Sequence, residues 1–345
     1  MNDTFSEDKA PPALSVVIVA YNSGATLGRC VAALAAQTYA DFELLIVDNA
    51  SPQREAGPAA QALPGARVIE AGDNLGFAGG VNLGARAARG RWLVLLNPDA
   101  YPDPDWLEQL VTASRRHPKV ASFTSRQVMA QDRSVLDGLG DVMSAPAIPY
   151  RGGYLSPDPG DSPEGEVFSP CGAAMMVDRA LFLRLGGLDE DFFCYCEDVD
   201  FGYRLQLVGE PTLLVPAAVV AHEGSASSGG PKSEFAVFHG TRNRFWVLVK
   251  NTPLLLLPVI LPLHLLAFAV VSLRPQNRPL LEVTWRGFKA ALAGLGPIWT
   301  SRRRTQAQRR ASALQIARSM TWDPKDLSGR RAVIRPLRPS RRGAP

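Results

Sequence analysis

The chain has 345 residues, 46% of them hydrophobic and 20% charged, with 30 Gly and 28 Pro, a balance too apolar for a disordered chain and too polar for a multi-span membrane protein. Four cysteines without a CxxC pair exclude a disulfide scaffold and a four-cysteine zinc site, and suit a reducing compartment. The net charge of +4 conceals an acidic body, with 17 Lys and Arg against 30 Asp and Glu in residues 1–240, and a basic end, with 20 against 3 in residues 241–345. 

Residues 1–12 read as a disordered N-terminus with neither a basic start nor an apolar run, so no cleaved signal peptide is expected. Short runs rich in Val, Ile and Leu follow at 14–20 (LSVVIVA), 43–47 (ELLIV), 67–70 and 92–96 (WLVLL). Bounded by turn residues, they predict buried strands of a mostly parallel sheet. Helical spacing between them predicts helices over 26–36, 79–88 and 103–117. The alternation implies βαβ units and an open doubly wound sheet with its site at the carboxyl ends of the strands. Residues 144–166, with five Pro and four Gly, read as a long functional loop, and 224–233 (GSASSGGPKS) as a flexible piece directly after His222.

The strand ends are polar. Tyr21-Asn22-Ser23-Gly24, Asp48-Asn49-Ala50-Ser51 and Asn97-Pro98-Asp99 follow the first, second and fourth runs. In a parallel sheet these ends share one edge, so Tyr21, Asp48 and Asp99 should converge. Ser23 and Ser51 read equally well as helix caps. No GxGxxG follows the first strand, which argues against a dinucleotide site.

VVIVAYNSG, LLIVDNAS, DNLGFAGGVNLG, WLVLLNPDA and FCYCEDVDFGYRLQLVG occur in this order. Together they resemble the inverting family 2 glycosyltransferases, in particular the bacterial rhamnosyltransferase-like branch, over roughly residues 14–250. The resemblance implies a GT-A nucleotide-diphospho-sugar fold over 13–250. It also implies roles for individual positions. Asp48 would accept from the donor's pyrimidine, with Tyr21 offering an aromatic face. Asn74, Gly76, Gly80 and Asn82 would line the nucleotide and sugar. Asn97-Pro98-Asp99 stands where the family carries its DxD metal motif. Asn97 replaces the first aspartate, leaving Asp99 as the anionic ligand for Mg²⁺ or Mn²⁺. His222 would complete the metal shell, and an imidazole favours Mn²⁺. Asp198 would be the general base that takes the acceptor hydroxyl's proton, with Glu197 orienting the acceptor or supporting Asp198. Asp200 reads as a helix-opening acid paired with Arg204 at i, i+4. Arg242 and Arg244 would close over the donor phosphates or face lipid, and Asp189 would lie near the acceptor.

Residues 254–273 form a 20-residue stretch without Lys, Arg, Asp or Glu, long enough to span a bilayer. Pro258, Pro262 and His264 interrupt it. Residues 274–345 carry 17 basic residues against 3 acidic. A single span would push one basic flank outward, so a re-entrant or in-plane segment at the cytoplasmic face is the preferred reading over a span or a buried core helix. Residues 285–299 add an interfacial helix, and the basic tail from 301 reads as an anionic-lipid attachment with a disordered end. Nothing supports nucleic-acid binding.

The sequence therefore predicts a membrane-associated, metal-dependent inverting glycosyltransferase. Its donor would be a dTDP- or UDP-sugar, with rhamnose as the candidate sugar, and its acceptor a polyprenyl-diphosphate-linked glycan. The competing readings are a sugar-phosphate nucleotidyltransferase, which has no need of Glu197-Asp198, and a non-catalytic lipid- or glycan-binding scaffold.

Overall fold

The computed structural model describes residues 10–224, 230 and 232–338. The expectation for 1–12 falls mostly outside them, as does much of that for 224–233. The N-terminal half runs β1 (Leu14–Ala20), α1 (Ala25–Ala35), β2 (Phe42–Asp48), α2 (Ala56–Ala60), β3 (Arg67–Glu70), α3 (Gly76–Ala87), β4 (Trp92–Leu96), β5 (Ala100–Pro102) and α4 (Trp106–Arg116). Next come β6 (Ser122–Met129), β7 (Leu136–Gly138), β8 (Asp141–Met143), β9 (Pro149–Arg151), β10 (Gly165–Val167), β11 (Ala174–Asp178), α5 (Arg179–Arg184), α6 (Glu197–Val208) and β12 (Thr212–His222). The C-terminal part is helical: α7 (Glu234–Asn251), α8 (Leu257–Ser272), α9 (Leu281–Ala293), α10 (Leu295–Ala307), α11 (Ala313–Ser319) and α12 (Pro324–Gly329).

One sheet organises the body, in the order β10-β12-β6-β11-β4-β1-β2-β3. β1 is buried on both faces, which is why it reads as an unbroken apolar run. Val16 and Ile18 face α1 and α4 through Leu27, Val31, Trp106 and Leu110, while Val17 and Val19 face Val81, Phe182 and Phe201 of α3, α5 and α6. β3 departs from the expected burial. It is the edge strand, so its Arg67 and Glu70 are exposed. β1 runs parallel to β2 and β4, with Ala20 level with Asp48 and Val17 level with Leu95, so the three polar strand ends share one edge.

β11 lies antiparallel between β4 and β6, and β12 then pairs parallel with β6. The end of β12 folds back on β5, setting His222 opposite Ala100 and therefore beside Asp99. The 144–166 segment is not wholly irregular: β8 and β9 make a small antiparallel sheet, and β10 joins the main one.

The C-terminal helices depart further from expectation. The apolar stretch is a short 3₁₀ turn followed by α8, with Pro258 tolerated in the first helical turn. Among the described residues it is the one helix long and apolar enough to cross a membrane, and only 11% of it is buried, which removes the buried-core-helix reading. Ile260 and His264 form its inward contact, and His264 Nδ1 lies 2.8 Å from the Pro146 carbonyl. The basic tail is packed rather than disordered as far as residue 338. Arg302 is buried and donates to the Val249 and Thr252 carbonyls at 2.6 and 2.7 Å, closing the end of α7. Arg335 makes a backbone bridge with Glu166, and the Arg338 guanidinium pairs with the Glu166 carboxylate. The last turn of α7 and a buried glutamate thus claim arginines that the sequence assigns to lipid.

Candidate active site

The turns after β1 and β2 are tied to each other. Ser51 Oγ accepts from the Asn22 backbone N–H at 3.1 Å, and Glu55 accepts from the Ser23 N–H at 2.5 Å. Neither serine caps a helix, so the capping reading falls: α1 starts from Gly24 without a side-chain cap. Asp48, almost fully buried, accepts from the Ser51 N–H at 2.8 Å, and Tyr21 stands half-buried across the edge.

The residues expected to line the donor are largely occupied within the protein. Asn74 Oδ1 accepts from Asn49 Nδ2 and the Gly76 N–H, while Asn49 Oδ1 accepts from the Leu75 N–H. Asn49, absent from the sequence-based set, is therefore the residue that shapes this loop. Gly76 has φ +69° and its backbone lies against Phe193, where a side chain would collide with the Phe193 carbonyl and ring. A Cβ on Gly80 would stand 2.7 Å from Val19 Cγ1, so its glycine serves helix–sheet packing rather than close approach to a ligand. Asn82 is buried and staples α3 to the Leu188–Glu190 segment: its Nδ2 donates to the Leu188 carbonyl and to Glu190, and its Oδ1 accepts from the Leu188 N–H.

Asp99 and His222 meet as expected, with Asp99 Oδ1 3.3 Å from His222 Nε2. Asn97 Nδ2 lies 3.4 Å from the same nitrogen. His222 Nδ1 is 2.8 Å from Asp137 Oδ2, and the other contact of that carboxylate is Arg151. Burial opposes a charged imidazole, but the bonds to Asp137 and Asp99 outweigh it and hold the His222 pKa at about 9. The donor set fits a divalent cation: one hard carboxylate, one imidazole nitrogen, and a carboxylate on the far ring nitrogen that fixes the ring. Sequence reasoning missed Asp137. Its signal is slight, an aspartate in the LDGLGD run ahead of a segment read as loop.

Asp198 sits half-buried in the first turn of α6. Its Oδ2 accepts from the Gly172 N–H at 2.9 Å and its Oδ1 from the Val199 N–H at 2.8 Å, so backbone donors fix both oxygens. Asp141 and Cys171 approach it, the three ligand atoms lying within 4.8 Å of one another. Burial, then repulsion from Asp198, pushes the Asp141 carboxyl well above the usual range. Burial also pushes the Cys171 thiol up to about 12, which removes it as a nucleophile. Glu197 is buried, its Oε2 has no partner, and burial followed by Asp198 raises its pKa strongly. Its buried carboxyl stands beside Asp198, which fits the supporting role.

The remaining charged residues are placed by their partners. Asp200 pairs with Arg204 at 2.8 Å as expected, and also with buried Lys250 at 2.8 Å. Asp189 Oδ2 accepts from Lys250 at 2.5 Å and from Ser301 at 2.8 Å, which ties it to α7 and α10. Arg242 donates to the Phe192 carbonyl at 2.9 Å and stacks 4.3 Å from the Trp246 ring centre, so its guanidinium is committed inside the protein. Arg244 is exposed and opposes the burial-driven rise of the Cys196 thiol, which places its charge toward the turn before Asp198.

Residues 15–182 match the family model for glycosyl transferase family 2. An N-acetylglucosaminyl-diphospho-decaprenol L-rhamnosyltransferase of Mycobacterium tuberculosis is 30% identical over 255 residues, covering 66% of this chain and 81% of that protein. The chain belongs to glycosyltransferase family 2. It is a glycosyltransferase of the rhamnosyltransferase-like kind. The O-antigen biosynthesis protein RfbC of Myxococcus xanthus is 26% identical over 64% of this chain and 18% of its own length. Among solved structures, GalNAc-T7 with UDP, GalNAc and Mn²⁺ superposes with a TM-score of 0.56 at 18% identity, covering 72% of this chain and 51% of its own. The mannosyltransferase PcManGT of Pyrobaculum calidifontis with GDP-Man and Mn²⁺ gives 0.51 at 18% identity, over 92% and 89% of the two chains. The family 2 body described above has the GT-A fold.

Proposed function

We propose that this family 2 enzyme is a metal-dependent inverting transferase that moves a sugar, rhamnose being the first candidate, from a dTDP- or UDP-sugar to a glycan carried on a polyprenyl diphosphate, at the cytoplasmic face of a membrane. The observation that carries the reading is the pairing on one sheet edge of two separate carboxylate centres, Asp99 with His222 and Asp198 with its backbone donors. The activity of the mycobacterial relative supports the choice of donor sugar and acceptor.

In this reading Asp99, His222 and Asn97 would hold a divalent cation, preferably Mn²⁺, which would supply positive charge for the leaving nucleoside diphosphate. Asp137 keeps the imidazole oriented. Asp48 accepts from the pyrimidine ring N–H, and Tyr21 lies along it. Exposed Arg244 faces the phosphates. Asp198 accepts the acceptor hydroxyl's proton as that oxygen forms its bond to the anomeric carbon and the bond to the diphosphate breaks, which inverts the centre. Asp141 and Glu197, both with carboxyl pKa values raised by burial, stand beside it.

The test supplies full-length protein with dTDP-rhamnose, UDP-sugars and GDP-sugars in turn, a polyprenyl-diphospho-N-acetylglucosamine acceptor, and Mn²⁺ or chelator. A metal-dependent, inverted disaccharide product from one thymidine or uridine donor is expected. Product formation from a sugar phosphate and a nucleoside triphosphate would replace the reading with the nucleotidyltransferase one.

A further inference from the structure

The turn that leads into Glu197 and Asp198 follows a path that ordinary side chains avoid. Phe193, Tyr195 and Cys196 have φ of +64°, +70° and +66°, and none is glycine. Such residues persist only where the surroundings hold them, and they gather at functional sites. Cys196 is the N-cap of α6, so this turn sets the first residues of the helix that carries Asp198.

The carbonyls of this half-buried turn need donors wherever water does not reach them. The Phe193 carbonyl accepts from the Ala78 N–H at 3.2 Å, and the Cys196 carbonyl from the Asp200 N–H at 2.8 Å. The remaining three all turn to one side chain. Asn243, fully buried on α7, donates through Nδ2 to Phe192, Cys194 and Tyr195 carbonyls at 3.0, 2.8 and 2.7 Å. Its Oδ1 accepts from Arg242 Nε at 2.8 Å. Because arginine can only donate and carbonyls can only accept, the amide has one orientation. Phe192 also receives Arg242 and the Cys194 N–H, so Asn243 is one of three donors to that carbonyl.

We infer that Asn243 is a positioning residue for the transfer reaction: its buried amide holds the left-handed turn at 193–196 closed, and so fixes where Asp198 presents its carboxylate to the acceptor hydroxyl. The inference rests on the reading of Asp198 as the base. Without the amide, the bridge from α7 to the carbonyls of Phe192, Cys194 and Tyr195 is gone, and the turn relaxes toward ordinary φ values, carrying the start of α6 with it. The β1, β2 and β4 strand ends lie on other elements, and the turn meets the donor side only through Phe193 against Gly76 and Ala78.

The experiment compares full-length Asn243→Asp, which keeps the shape but removes both N–H groups, with Asn243→Ala and the parent. It reads transfer kcat, donor binding by calorimetry, and deuterium uptake over residues 192–199. Both variants should lose about 10²-fold in kcat, the scale of a misplaced reacting group. Donor affinity should stay within about threefold while uptake rises in 192–199 and not in β1. A folded Asn243→Asp with near-parental kcat overturns the inference, as does a loss of donor binding that matches the loss of transfer. Should neither variant fold, parental uptake decides: protection of 192–196 equal to that of α7 supports the clamp, and rapid exchange there removes it. Asp198→Asn runs in parallel. If that variant turns over normally, the base assignment falls, whereas its parental uptake over 192–199 keeps the clamp a separate result.

Discussion

His222 and Asp137 lie 2.8 Å apart, Nδ1 to Oδ2, and both side chains are buried. The pair links β12 to β7, two strands that the sequence gives no reason to associate, and it leaves Nε2 aimed at Asp99. An outer carboxylate of this kind fixes the tautomer of a ligating imidazole and raises its basicity. Asp137→Asn should therefore weaken Mn²⁺ binding by about 10–100-fold, the usual effect of removing such a partner. Calorimetric titration of Mn²⁺ in the presence of a nucleoside diphosphate measures this. Unchanged affinity would leave Asp137 as a structural partner of Arg151 alone.

Gly80 separates a packing role from a ligand role. Its added Cβ meets Val19 at 2.7 Å, in the contact between α3 and β1. Gly80→Ala should cost about 1–3 kcal/mol by overpacking, read as a lower denaturant midpoint. Donor affinity of the folded fraction should be unchanged. A selective loss of donor binding at parental stability would restore the expectation that this glycine lies against the nucleotide.

Burial pushes the Asp189 carboxyl upward, but the Lys250 charge and the bonds from Lys250 and Ser301 prevail and hold its pKa below the ordinary 3.8. A depressed carboxylate contributes stability that is complete above its unfolded pKa and is lost as pH falls through the folded value. The acid limb of the stability curve should thus lie below about pH 4 for this group. Asp189→Asn should lower stability at pH 7 by about 3 kcal/mol, the low end for breaking a buried pair, since Asp200 still faces Lys250. The variant should also lose less stability than the parent between pH 4 and pH 2, and melting profiles across that range test both statements.

Much of the frame was legible because one physical signal produced it. β1, β2 and β4 are buried on both faces, so each is a continuous apolar run, and a parallel register then brings Tyr21, Asp48 and Asp99 to one edge. Asp198 was legible through the motif around it. The supporting residues were not. Asp137 sits in a three-residue strand with no periodicity, and Asn243 acts on carbonyls about fifty positions away, where backbone strain leaves no trace in residue type. Arg302 and Arg338 misled because a basic run looks the same whether its charges meet lipid or the carbonyls and carboxylate of its own fold.

The exposed apolar face of the C-terminal part permits a sharper membrane test than removing it. Ile260, Ala291, Ile298 and Ile316 share one buried cluster with Phe245, Trp246 and Leu248, so deleting residues 251–345 would strip the core beside α6 and α7. Leu255 and Leu266 are instead 81% and 62% exposed and support nothing beneath them. Leu255→Asp with Leu266→Asp should leave the melting temperature within about 2 °C, as surface changes usually do. If α8 lies in the interface, the same pair should remove most flotation with anionic vesicles, because two charges replace two apolar anchors. Basic residues such as Arg303 and Arg309 remain exposed in this variant, so residual binding should vanish with added salt. Full flotation of the double variant at high salt would show that α8 is not the contact.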